Sequence, residues 1–165
     1  MDNYNRQLYT FPHKTFQEYL AGCYLASQRD FSRHVIRLVN DDQNWREVLM
    51  LAIGHLVFNQ NDVIKAIDTA NTIYPTSLLI SNWKQLWLAG EILNMVGIST
   101  VSTDEIGGVL LPKLRIDLIK IFSMGIHQSP ELVEIGNLLG NLGDTREGIN
   151  DLQPNLIYIN QGIYT

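Results

Sequence analysis

A single cysteine, Cys23, stands among 165 residues, so neither an internal disulfide nor a cysteine-based zinc site can form. A lone thiol of this kind fits a reducing compartment. Excess positive charge is missing too: twelve Lys and Arg face seventeen Asp and Glu, for a formal charge of -5, and the basic residues are scattered. Phosphate binding draws its affinity from clustered Lys and Arg, which argues against nucleic acid as a partner. No apolar run approaches the roughly 20 residues that a membrane-spanning helix needs. The opening Met1-Asp2-Asn3-Tyr4-Asn5 lacks the basic flank and apolar stretch of a secretory leader. The expectation is a soluble cytoplasmic protein that makes no membrane contact.

Motifs for catalysis are equally scarce. No Gly-x-x-x-x-Gly-Lys-Ser/Thr loop occurs, and the pair Gly107-Gly108 falls inside a helical pattern, so a phosphate cradle of the P-loop kind is excluded. His13, His34, His55 and His127 sit on four separate segments, a poor arrangement for a metal. No serine stands in a nucleophile elbow. Cys23 lies on an apolar helical face and reads as an inert, buried thiol. Asp41-Asp42 precedes a helix, where acidic residues usually cap. The residues therefore assign no catalytic group, no metal ligand and no cofactor to this chain.

What is present is hydrophobic periodicity at helical spacing, in a chain that is 45% hydrophobic and so able to bury a core. Thr15 and Glu18 make a capping box for a first helix whose apolar face is Phe16, Tyr19, Leu20, Cys23 and Tyr24. Asp30 or Ser32 opens a short second helix, and Asp42 precedes a third that runs from Trp45 to Leu56. A fourth spans about Asn61 to Ile73 and ends near Tyr74, because Pro75 disfavours helical geometry in the residue before it. Leu79, Trp83, Leu86, Trp87 and Leu93 mark a fifth, stopped by Gly97. Ser102 and Glu105 form a second capping box, opening a helix through Phe122 that Pro112 should kink or divide. Ser129-Pro130-Glu131 begins a last helix that Gly143 ends. The three tryptophans fall on apolar stripes and read as core. Leu156-Ile157-Tyr158-Ile159 is too short and β-rich for another amphipathic helix and predicts a strand. The predicted fold is all-α, an irregular HEAT-like helical repeat or a helical bundle, with a short C-terminal β-like tail.

His13 lies just before the first cap, at the positive end of a helix. The residues alone leave two roles open for it: packing in a loop, or meeting an anion. The string Phe11-Pro12-His13-Lys14-Thr15-Phe16-Gln17-Glu18-Tyr19-Leu20-Ala21-Gly22 resembles the junction of NACHT-type signal-transduction NTPases. There, Phe-x-His-x-Ser/Thr-Phe-Gln-Glu-Tyr/Phe-Leu-Ala-Ala/Gly joins a winged-helix region to the helical domain after it. Trp45-Arg46-Glu47-Val48 is similar to the Trp-x-Glu-Val segment that often follows. At the far end, Leu139-Gly140-Asn141-Leu142-Gly143-Asp144-Thr145-Arg146-Glu147-Gly148-Ile149 resembles the linker before formylglycine-generating-enzyme-like domains in bacterial NACHT proteins, with Thr145 in place of the usual proline. Ile157 to Tyr164 is similar to the opening strand of such a domain, although Asn160 departs from the pattern.

The resemblance implies three regions: residues 1–14 as the end of a winged-helix region, 15–143 as a helical regulatory domain, and 144–165 as a linker and first strand. It also implies that His13 contacts the nucleotide phosphates in a full-length parent that binds ADP and ATP, while this chain alone binds no nucleotide. The implied partners are the nucleotide-binding and winged-helix domains of the same polypeptide, with homo-oligomerisation on activation. The competing reading is a freestanding helical-repeat scaffold that binds another protein.

Overall fold

A computed structural model describes residues 13–41, 45–79, 82–125, 129–146 and 148–149. The described residues form eight helices and no strand, so the fold is all-α. These are α1 (Lys14–Ala26), α2 (Phe31–Asp41), α3 (Arg46–Gly54), α4 (Val63–Ile73), α5 (Trp83–Val96), α6 (Ile98–Thr103), α7 (Glu105–Ser123) and α8 (Ser129–Leu142). A π-helical turn, His55–Asn59, extends α3 without a break. The predicted C-terminal strand lies outside the described residues.

Helix α5 is the centre of the packing. Leu86, Trp87, Leu88, Ala89, Gly90, Ile92, Leu93 and Val96 are all buried, which gives it apolar contact nearly all round. It packs on α4 on one side and on α7 and α8 on others. Its stripe begins later than the sequence pattern implies: Leu79 is 55% exposed and precedes the helix. Farther out, α2 lies on α4, and α1 packs chiefly on α3. Trp45, expected on the apolar face of its helix, is instead exposed at the start of α3.

Several ends follow directly from residue chemistry. Tyr74 leaves the helical region with ψ 124° before Pro75, ending α4 as the proline requires. Gly97 takes φ +94° and stops α5, and Gly143, at φ +85°, follows the last residue of α8. The Asp62 carboxylate accepts the backbone N–H of Lys65 at 3.1 Å and caps α4.

Both capping boxes need correction. Helix α1 starts at Lys14 with His13 in the cap position and no side-chain cap bond, so Thr15 is already inside the helix. Glu18 pairs with Lys14 at 3.2 Å rather than reaching back to the helix start. At the second site Asp104 is the cap, accepting the N–H groups of Ile106 at 2.9 Å and Gly107 at 2.8 Å. Ser102 is not free to cap, because residues 98–103 are themselves helical and its hydroxyl donates to the Ile98 carbonyl at 2.7 Å. Glu105 is then the first residue of α7, too early to close a box.

The short α6 itself is absent from the sequence reading. Its buried Val101 sits so close to α7 that a Cβ on Gly107 would lie 2.6 Å from the Val101 carbonyl oxygen. The Gly107-Gly108 pair therefore serves helix crossing. Pro112 does not divide α7, which runs unbroken from Glu105 to Ser123. Its missing N–H removes one intrahelical bond from an exposed position, and the buried Leu110, Leu111 and Leu114 hold the helix through it.

Candidate functional site

The outward side of α1 is the most unusual surface of the described residues. Helix α1 buries only Gly22, Leu25 and Ala26, whereas Phe16 is 61% and Tyr24 70% exposed, with Tyr19 and Leu20 also exposed. The apolar face read from the sequence is thus real as a stripe, but it points away from the core. Packing falls to the small residues because Gly22 brings the α1 backbone against α3: a Cβ there would stand 3.0 Å from the Ala52 nitrogen and 3.1 Å from the Val48 oxygen. Phe58 is a further exposed aromatic, 73% exposed on the π-helical turn.

His13 is exposed at the start of this helix, its ring 6.4 Å from that of Phe16. Thr15 and Glu18 share the first turns with it, while Ser102 and Glu105 belong to the α6–α7 junction. The five residues singled out from the sequence are therefore split between two separate places in the fold, the start of α1 and the α6–α7 junction. Lys14 and Glu18 also line a mixed-charge groove of about 490 Å³ with Arg46, Lys84, Trp87 and Glu134. Arg46 stacks over the Trp87 ring at 4.2 Å. Nearby on α5, burial raises the pKa of the half-buried Glu91; Arg46 opposes that shift and Glu134 adds to it.

Three polar constellations escaped the sequence reading. Cys23 Sγ lies 3.6 Å from His55 Nδ1, so the thiol is half-buried beside an imidazole rather than sealed among apolar groups. Tyr74 donates to the Asp117 carboxylate at 2.5 Å, tying the end of α4 to α7; burial first, and then this bond, raise its pKa. The third is a clamp after α8. Arg146 grips the buried Asp144 through Nε, at 3.0 Å, and Nη2, at 2.5 Å, and its guanidinium lies 4.7 Å from the Phe122 ring centre. Arg115 of α7 donates to the Leu142 carbonyl just before it. Only the Gly-Asp-x-Arg spacing was a local signal; the Cys–His and Tyr–Asp pairs span 32 and 43 residues.

Among the described residues, no three His, Cys, Asp or Glu side chains are grouped to hold a metal, and no helix is long and apolar enough to cross a membrane. No family model, curated protein or solved structure matches the chain.

Proposed function

We propose that the chain is the helical regulatory region of a bacterial NACHT-like NTPase, relaying nucleotide state to a C-terminal formylglycine-generating-enzyme-like sensor or effector. The carrying observation is the coincidence of the Phe11–Gly22 junction motif with an α1 whose aromatic side is left uncovered. An interdomain helix needs such a face, since apolar surface of this kind is stabilised only when another body covers it. In this reading the winged-helix and nucleotide-binding domains of the parent sit there, and His13, at the helix start, meets the phosphates of ADP. The Asp144–Arg146 clamp supports the other end, because a linker fastened to the helices can transmit their movement. Regulation of this kind requires contacts that differ between the ADP and ATP states.

In the full-length protein, His13→Ala is expected to lower the ADP-bound resting fraction and raise basal ATP-dependent assembly. Nucleotide content by chromatography and oligomer size by light scattering check both. An unchanged resting fraction would count against the switch role.

The uncovered face supports a second reading, in which the chain is a freestanding scaffold and a separate protein covers α1. Supplying the upstream domains as a separate polypeptide distinguishes the two: binding that Tyr24→Asp abolishes favours the relay, and no binding favours the scaffold.

A further inference from the structure

The pairing of Cys23 with His55 is built by the fold and has no part in the relay reading. Two features create it. Gly22 allows α1 to approach the α3 backbone closely enough to bring the thiol across. The π-helical turn begins at His55, and such turns re-aim side chains and recur at functional sites. One helical turn before Cys23, Tyr19 neighbours the thiol, and that neighbour is the main cause raising the phenol's pKa. Cys23 and His55 are both half-buried.

We infer that Cys23 is a reactive thiol with His55 as its base, and that it exchanges with low-molecular-weight disulfides. A nucleophile within hydrogen-bond reach of an imidazole is the arrangement that activates cysteine. Nδ1 takes the thiol proton, and Sγ attacks one sulfur of the disulfide R–S–S–R. The Cys23–sulfur bond forms as the S–S bond breaks, and the departing thiolate recovers the proton from the imidazolium. One thiol is consumed and one released, with the disulfide as the only oxidant. The product carries new bulk at the α1–α3 seam, beside a Gly22 contact made largely with backbone.

Because Cys23 is the only cysteine, dithiobis(nitrobenzoate), an aromatic disulfide, reads this site alone. The folded chain should release one equivalent of nitrothiobenzoate at least about tenfold faster than the same chain unfolded in urea, and His55→Gln should remove that advantage. Cys23→Ser should release none. Incubation with oxidised glutathione should give a single mixed disulfide by mass spectrometry. A folded chain that reacts no faster than the unfolded one overturns the proposal, and this comparison stands even if His55→Gln fails to fold. A folded His55→Gln that reacts as fast as the unaltered chain overturns it equally.

Discussion

Replacing Gly22 with valine is expected to destabilise the chain by about 3 kcal/mol, which corresponds to a melting temperature lower by about 6–12 °C. The glycine sits where α1 and α3 come closest: an added Cβ would meet the Ala52 nitrogen at 3.0 Å, the Leu51 Cβ at 3.1 Å and the Val48 oxygen at 3.1 Å. Two of those three neighbours are backbone, which cannot rotate away. Valine adds two further carbons, so the helices must separate along a seam that supplies most of the packing of α1. Alanine should behave differently, because its gain of about 1 kcal/mol in helix propensity offsets a tight contact that needs only a few tenths of an ångström of relief. Urea unfolding of both variants checks the contrast. Equal stability of Gly22→Val and the unaltered chain would mean that α1 does not seat on α3 by its glycine. In the relay reading the same substitution should uncouple α1 from the core while leaving its outer aromatic residues chemically intact.

The boundaries of the fold were legible wherever one residue dictates backbone geometry. Pro75, Gly97 and Gly143 mark ends that the structure places at the residues expected. Capping was less legible, since Ser102-x-x-Glu105 and Asp104 offer rival starts two residues apart and local sequence does not rank them. The choice is made by Val101, whose burial requires residues 98–103 to fold as a helix of their own. The stripe on α1 exposes a different limit. Periodicity identifies the side bearing Phe16, Tyr19, Leu20 and Tyr24 as apolar, but gives no sign that Gly22, Leu25 and Ala26 make the better contact with α3. Close helix approach favours small residues, and a hydrophobicity pattern undervalues glycine. The Cys23–His55 pair was invisible for a related reason: it exists only once that approach has been made.

The linker-like segment shows how a motif noted for its resemblance acquires a physical role. Gly143 turns the chain at φ +85°, Asp144 folds back with 4% exposure, and Arg146 returns over Phe122 to hold it. Replacing the proline of the resembled pattern with Thr145 leaves this clamp intact, because the clamp uses the residues on either side. Arg146→Ala would strand the buried carboxylate without its guanidinium. Such losses cost about 3–5 kcal/mol for fully buried pairs. The arginine side chain is 29% exposed, so water screens part of the effect and about 2 kcal/mol is the expected cost at neutral pH.

The pH dependence identifies the source of that cost. Hydrogen bonding from Arg146 is the main reason that the Asp144 carboxyl is held below its ordinary range, against an opposing push from burial. Its folded pKa is depressed, so the stabilisation is fully present above the unfolded value of about 3.9 and is lost as the pH falls through the folded value. Urea unfolding at pH 7 and again near pH 2 should therefore show a narrower gap between the unaltered chain and Arg146→Ala at the second than at the first. A gap that persists undiminished in acid would assign the loss to the Phe122 stacking instead. Because Arg146 also lies over Phe122 of α7, its loss should loosen residues 144–146, measurable as faster amide exchange there at neutral pH.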